Sequence, residues 1–290
     1  MNPAASPASS ATPAAPASRI ARRFATLREK GEMGLVAFLT AGDPSLAVSE
    51  SLALALAEAG ADVIELGVPF SDPLADGPVI QRSSERALRA GATLAGVLDL
   101  AAAIRRKSDV ALVLFSYYNP VLQMGLARFA ERAAAAGVDG VLITDLTPEE
   151  SGDYRRAVLA HGLDTIFLAA PTSPDERLRR IAEVSSGFLY VISRTGVTGT
   201  KESLPEDLPA LVRRVRNATA LPIAVGFGIS LPGQVSILGG LADAAVVGSA
   251  LVQEVERAAT PEAAVAAVAA RARILKQAGL HGMSRREPGK

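Results

Sequence analysis

The chain has 290 residues, 49% of them hydrophobic, and its 30 basic side chains balance 30 acidic ones. This length allows one large domain or two ordinary ones, and the balanced charge leaves no electrostatic footprint for nucleic acid. There is no cysteine, which removes disulfides, thiolate metal sites and a thiol nucleophile. No apolar run reaches the ~18 residues that span a bilayer, so no membrane segment is expected.

Residues 1–18 read MNPAASPASSATPAAPAS. They carry no charge and too little apolar bulk to fold, and are expected to form a disordered tail. The segment has neither the basic start and apolar middle of a secretory signal nor the arginines of a transit peptide, and a cytoplasmic location is expected. Short β-rich runs then alternate with Ala/Leu/Arg-rich segments. The predicted strands are 34–40, 62–66, 110–115, 140–144, 164–168, 188–192, 222–226 and 244–247. They are apolar on both faces, as parallel strands covered by helices should be. Helices are expected at 45–59, 125–136, 148–161, 174–184 and 205–217. Pro148, Pro174 and Pro205 suit first turns, and Gly60, Gly137 and Gly162 suit left-handed caps. Residues 279–290 form a second polar tail. The intervening 19–278 matches the ~250 residues of a single (β/α)8 TIM barrel. The alternative, a doubly wound open sheet, lacks its glycine fingerprint: Thr40-Ala41-Gly42-Asp43-Pro44 follows the first strand.

A barrel places its chemistry at the C-terminal ends of its strands. Glu65 lies inside the second predicted strand, where a charge is costly unless compensated. Asp72 and Asp76 follow in the turn-rich loop Gly67-Val68-Pro69-Phe70-Ser71-Asp72-Pro73-Leu74-Ala75-Asp76-Gly77-Pro78. Two or three carboxylates converging there suit acid/base work. Burial between Ile64 and Leu66 should raise the Glu65 pKa, whereas the Asp/Gly loop offers Asp76 a more polar setting in which it stays ionised. Tyr190 lies in the sixth predicted strand, and the polar loop 193–200 after it could close over a ligand. Gly226-Phe227-Gly228-Ile229-Ser230 and Gly248-Ser249 follow the last two strands. There, glycine turns and a helix N-terminus at Ser249 point to a phosphate, against the simpler reading of tight turns alone.

Other chemistries are disfavoured. None of the lysines (Lys30, Lys107, Lys201, Lys276, Lys290) falls in a predicted strand, so a Schiff base is not expected. His161 and His281 cannot make a zinc cluster, no metal is expected, and His161 suits a helix C-terminus. Each candidate also has a structural reading. Glu65 could pair with an arginine, Asp72 could cap a turn, and Tyr190, Phe38 and Phe115 could be core. Asp145 could bind a ligand or cap the helix at Pro148.

Four segments resemble the tryptophan synthase α subunit family: Phe38-Leu39-Thr40-Ala41-Gly42-Asp43-Pro44, the run Glu65 to Pro78, Gly196-Val197-Thr198-Gly199, and Gly226-Phe227-Gly228-Ile229-Ser230. The resemblance implies a barrel lyase that splits indole-3-glycerol phosphate into indole and glyceraldehyde 3-phosphate. It implies Glu65 as the general acid/base, Asp76 as the acceptor of the indole N–H, and Tyr190 beside the substrate. It implies backbone phosphate contacts at Gly199, Gly228, Gly248 and Ser249, and an indole pocket lined by Phe38, Phe115 and Phe227. It further implies docking on a pyridoxal-phosphate β subunit in an αββα assembly, through Pro69, Asp72, Pro73, Asn119 and Pro120, with Thr198 in a closing loop. No cofactor is expected in this chain; pyridoxal phosphate would belong to the partner. Two alternatives stand beside this reading, a stand-alone indole-releasing lyase and a catalytically silent phosphate-binding regulatory subunit. Intact Glu65 and Asp76 argue against the second.

Overall fold

The computed structural model describes residues 18–193, 204–226 and 228–283. The predicted tail up to residue 17, Thr198, Gly199 and Phe227 lie outside the described residues. Nine parallel strands form one sheet: β1 Gly34–Thr40, β2 Val63–Gly67, β3 Ala111–Ser116, β4 Gly140–Ile143, β5 Asp164–Ile166, β6 Leu168–Ala169, β7 Leu189–Ile192, β8 Ile223–Gly226 and β9 Ala244–Val247. Their order is β5-β4-β3-β2-β1-β9-β8-β7-β6. The two edges are consecutive in the chain, so the sheet curls into a TIM barrel. The one strand predicted at 164–168 is therefore split at Phe167. Its first half pairs with β4 and its second with β7, and the chain turns between the two partners. The Phe167 carbonyl accepts the Tyr190 N–H at 3.2 Å across this junction.

Strand alternation sorts side chains between two cores. Leu35, Ala37, Leu39, Ile64 and Leu66 face the surrounding helices. Val36, Phe38, Val63, Val113, Phe115 and Tyr190 fill the barrel interior. Since Val63 points inward and Ile64 and Leu66 outward, the period of two sends Glu65 inward.

The floor is closed by the helix Arg19–Lys30, capped by the Ser18 hydroxyl and inserting Ile20, Phe24 and Leu27. Three aspartates, each just before a strand, accept the first free N–H of the neighbouring strand. Asp62 takes Leu35 N–H at 2.6 Å, Asp139 takes Leu112 N–H at 2.8 Å, and Asp243 takes Ile223 N–H at 2.7 Å. Each is also paired with a cation: Lys276 and Arg23, Arg105 and Arg19, and Arg216 respectively.

Gly60, Gly137 and Gly162 do adopt positive φ after their helices. Two proline expectations need correction. The helix predicted from Pro148 is Gly152–Ala160, because the Pro148 carbonyl is taken by the Ser151 hydroxyl at 2.8 Å in a separate turn. The helix predicted from Pro205 is Leu208–Ala218, with Pro209 in its first turn and the Pro205 carbonyl accepting Leu208 N–H at 3.2 Å. The last helix, Pro261–Met283, continues past residue 279, where the sequence suggested a tail. Among the described residues no single helix is long and apolar enough to cross a membrane.

Candidate active site

At the open end of the barrel Glu65 is fully buried, level with Phe38 on β1 and Val113 on β3. Neither carboxyl oxygen has a hydrogen-bond partner among the described residues, so the arginine ion pair considered above does not form there. Burial pushes its pKa up to about 8. Near neutral pH the group is thus mainly an uncharged acid, able to give a proton.

Asp76 ends the loop after β2, just before Gly77 caps the helix Pro78–Arg89. Its carbonyl accepts the Gln81 side-chain amide at 2.9 Å, and the Tyr117 hydroxyl donates to its Oδ2 at 3.1 Å. Its setting is less polar than the sequence suggested: burial pushes its pKa up to about 6, only partly offset by the Tyr117 hydrogen bond. It is still mainly ionised at pH 7. Two carboxyl groups whose surroundings hold one protonated and the other charged form an acid/base division.

Tyr190 is buried, and its phenol is held well above its usual pKa by burial and by the nearby charges of Glu65 and Asp76. Its ring lies against Gly226, where a Cβ would sit 2.2 Å from the hydroxyl. Phe38 and Phe115 meet edge-on, with ring centroids 5.2 Å apart. Phe38 in turn covers Gly67, where a Cβ would come within 2.4 Å of its ring. Both glycines exist to admit an aromatic ring, which their strand positions alone did not reveal.

Gly228 has φ +90, and Gly248 precedes the helix Ser249–Arg257. The N-terminus of that helix presents free N–H groups, as an anion site requires. Behind Gly228, the Gln234 side-chain oxygen accepts Ser230 N–H at 2.8 Å and Leu231 N–H at 2.9 Å. Arg271 donates to the Ser230 carbonyl at 2.6 Å. Among the described residues no three His, Asp or Glu side chains gather as a metal would need.

Sequence reasoning missed Tyr117, which also accepts Ala75 N–H at 3.0 Å and stacks on Phe70 at 5.1 Å. Its position just after β3 was the available signal. Asp145 accepts Tyr118 N–H at 2.7 Å and so serves the helix Tyr118–Met124, not the helix after Pro148. Asp72 is exposed and accepts the Ser71 hydroxyl at 2.8 Å. Asn119 is also exposed, Pro73 and Pro120 are half-buried, and Pro69 is buried within the chain. Leu74, not singled out in the sequence, is 88% exposed beside Asp72 and Pro73.

Comparison with known proteins identifies the family. The family profile described as tryptophan synthase alpha chain matches residues 24–279. The tryptophan synthase alpha chain of Solibacter usitatus is 55% identical over 239 residues, covering 82% of this chain and 90% of the relative. That of Geobacter sulfurreducens is 52% identical over 240 residues, covering 83% and 91%. Among solved structures, Mycobacterium tuberculosis tryptophan synthase is similar at 36% identity and a TM-score of 0.84, covering 91% of this chain and 99% of that one. The tryptophan synthase subunit alpha of Legionella pneumophila matches at 36% identity and a TM-score of 0.84, covering 91% and 98%. A barrel matched along nearly its whole length, with the acid pair at its open end, belongs to the tryptophan synthase alpha chain family.

Proposed function

We propose that the chain cleaves indole-3-glycerol phosphate to indole and D-glyceraldehyde 3-phosphate, with Glu65 as acid and base. The carbon–carbon bond breaks only if the ring can take up the electron pair. Glu65, protonated near neutral pH, gives its proton to indole C3, and positive charge spreads to the ring nitrogen. Asp76, ionised, accepts the N–H and stabilises that charge. The Glu65 carboxylate then takes the proton of the adjacent glycerol hydroxyl. The bond breaks, its electrons return to the ring, the hydroxyl carbon becomes the aldehyde, and Glu65 is again protonated. The ring itself is the electron sink, so this sequence asks for no cofactor in this chain.

In this reading Phe38, Phe115, Tyr190 and Phe227 enclose the indole. Backbone at Gly199, Gly228, Gly248 and Ser249 holds the phosphate, and Thr198 belongs to the loop that closes over the substrate. The catalytic unit is the barrel, about 19–278, acting in the cytoplasm. Indole passes to a tryptophan synthase β subunit that holds pyridoxal phosphate, in an αββα assembly. Exposed Asp72, Leu74 and Asn119, with Pro73 and Pro120, support a partner surface on the rim; buried Pro69 does not contribute exposed area to it.

The observation that carries the reading is the fully buried Glu65 carboxyl, without a partner among the described residues. The test is indole release by the purified chain with and without a β subunit. The chain has no tryptophan, so indole fluorescence is not masked. Slow release accelerated by the partner is expected. Fast release that the partner does not change would favour a stand-alone lyase, and none under either condition a silent regulatory subunit.

A further inference from the structure

Four charged side chains on the outer wall of the open end form one continuous network, apart from Glu65 and Asp76. Arg86 is bidentate on Asp43, with Nε donating to Oδ1 at 2.9 Å and Nη2 to Oδ2 at 2.7 Å. Its remaining nitrogen, Nη1, donates to Glu256 Oε1 at 3.0 Å. Arg82, one helical turn earlier, is bidentate on the same glutamate, at 2.7 and 2.8 Å. Asp43 is buried and Glu256 partly so. The arginines, chiefly through the Arg82 hydrogen bond, hold the Glu256 carboxyl down at about 2. A buried hydroxyl pair runs alongside: Ser83 donates to the Ile80 carbonyl at 2.8 Å, so Thr40 is the donor in their 2.6 Å contact.

The elements joined in this way are those that carry the two ends of the site. Arg82, Ser83 and Arg86 lie on the helix Pro78–Arg89, which starts directly after Asp76 and Gly77. Glu256 lies on the helix Ser249–Arg257, which starts at the proposed phosphate site. Thr40 and Asp43 lie at and just beyond the end of β1, between them in the sheet. A substrate with a ring at one end and a phosphate at the other must meet both helices at once. Its binding and reaction therefore depend on the distance between them, and not only on the quality of either end.

We propose that Glu256 and Arg86 are positioning residues that fix the separation of the acid/base end from the phosphate end, and thereby select a ligand carrying both groups on one chain. The proposal rests on the assignment of Glu65, Asp76, Gly248 and Ser249 made above. It differs from a role in stability alone, because loss of stability lowers every binding equilibrium that needs the fold, whereas loss of spacing penalises only a ligand that bridges the two ends.

The experiment compares the full chain with Glu256→Gln, which keeps the shape and removes the charge. Arg82→Met, which removes one arm of the network, serves as a second variant. Three ligands are titrated: inorganic phosphate, indole, and a non-cleavable analogue joining an indole ring to a phosphate through an unreactive three-carbon link. With Glu256→Gln the two fragments should bind within about twofold of the unaltered chain, while the joined analogue weakens roughly tenfold, well inside the ~100-fold that a 1 Å misplacement can cost. Arg82→Met should give a smaller loss in the same pattern. The pH dependence of kcat/KM should keep its shape, because neither carboxyl of the acid/base end is touched. Equal losses for fragments and joined analogue, or no loss for the analogue, would overturn the positioning role. If the unaltered chain fails to bind the joined analogue, the assignment of the site itself falls, and the positioning role with it.

Discussion

The Tyr117 hydroxyl and the Asp76 carboxylate, 41 residues apart in sequence, meet at 3.1 Å across the open end of the barrel. That phenol is what opposes the effect of burial on Asp76. Tyr117→Phe should therefore raise the Asp76 pKa above about 6. Loss of one such hydrogen bond, about 1 kcal/mol, moves the acid limb up by roughly 0.7 of a pH unit, so kcat/KM should fall less than about twofold at pH 7 and roughly fivefold on the acid limb. A pH profile whose acid limb does not move would rule out the phenol as the group that keeps Asp76 charged.

With the roles proposed for Glu65 and Asp76, kcat/KM should show a bell-shaped dependence on pH. Below about 6 Asp76 takes a proton and can no longer stabilise the ring. Above about 8 Glu65 loses the proton that starts the reaction. A flat profile from pH 6 to 9, measured by indole release, would contradict this division of roles.

Glu65→Gln should abolish lysis while leaving binding of the joined indole–phosphate analogue within about tenfold, ~1.4 kcal/mol. The same change should stabilise the fold at alkaline pH. Because the folded-state pKa of Glu65 is raised, from 4.5 to about 8, the folded chain holds a proton that the unfolded chain has released. Stability thus falls as pH rises through that window, by at most ~1.4 kcal/mol per pH unit. Denaturant titrations at pH 5 and pH 9 check the sign: the variant should lose less stability between them than the unaltered chain.

Gly67→Ala would place a methyl 2.4 Å from the Phe38 ring and 3.1 Å from the Leu39 carbonyl. Overpacking of this kind costs about 1–3 kcal/mol. Phe38→Leu in the same chain should recover part of the loss. Strict additivity in the double-mutant cycle would mean that the contact is not the cause.

Asp62→Asn acts at the other end of the barrel. It removes the charge that pairs with Lys276 and Arg23 while leaving an acceptor for Leu35 N–H. Breaking a buried pair costs about 3 kcal/mol or more. The midpoint of urea unfolding should drop while KM for the lyase reaction stays unchanged, since the floor does not touch the site.

The parts of this architecture legible in the sequence were those encoded locally. A lone carboxylate within the apolar strand Val63-Ile64-Glu65-Leu66 was legible, as was a start of the barrel near Arg19, although Ser18, read as the end of the tail, is the cap of the first helix. What escaped depended on pairs far apart in the chain. Tyr117 is an ordinary aromatic until the fold brings Asp76 to it. Asp145, which could bind a ligand or cap the helix of its own unit, instead serves the helix of the preceding one. The break at Phe167 follows from closing the ring, which no window of residues around it encodes. The moderate polarity expected for Asp76 failed for the same reason, because the loop's composition says nothing of what covers it.

The closure at Phe167 leaves the ring with a seam. Adjacent β1 and β2 are registered over five residue pairs, whereas β5 holds β4 by three and β6 holds β7 by two. That break in the pairing lies in mid-chain and divides the chain into two halves, β1 to β5 and β6 to β9, which β1 and β9 join over four residue pairs. Glu65, Asp76 and Tyr117 fall in the first; Tyr190, Gly228, Gly248 and Ser249 fall in the second. Each half thus carries part of the proposed site. The two halves meet at the β1–β9 junction, which lies between the Glu65 strand and the strand before Gly248.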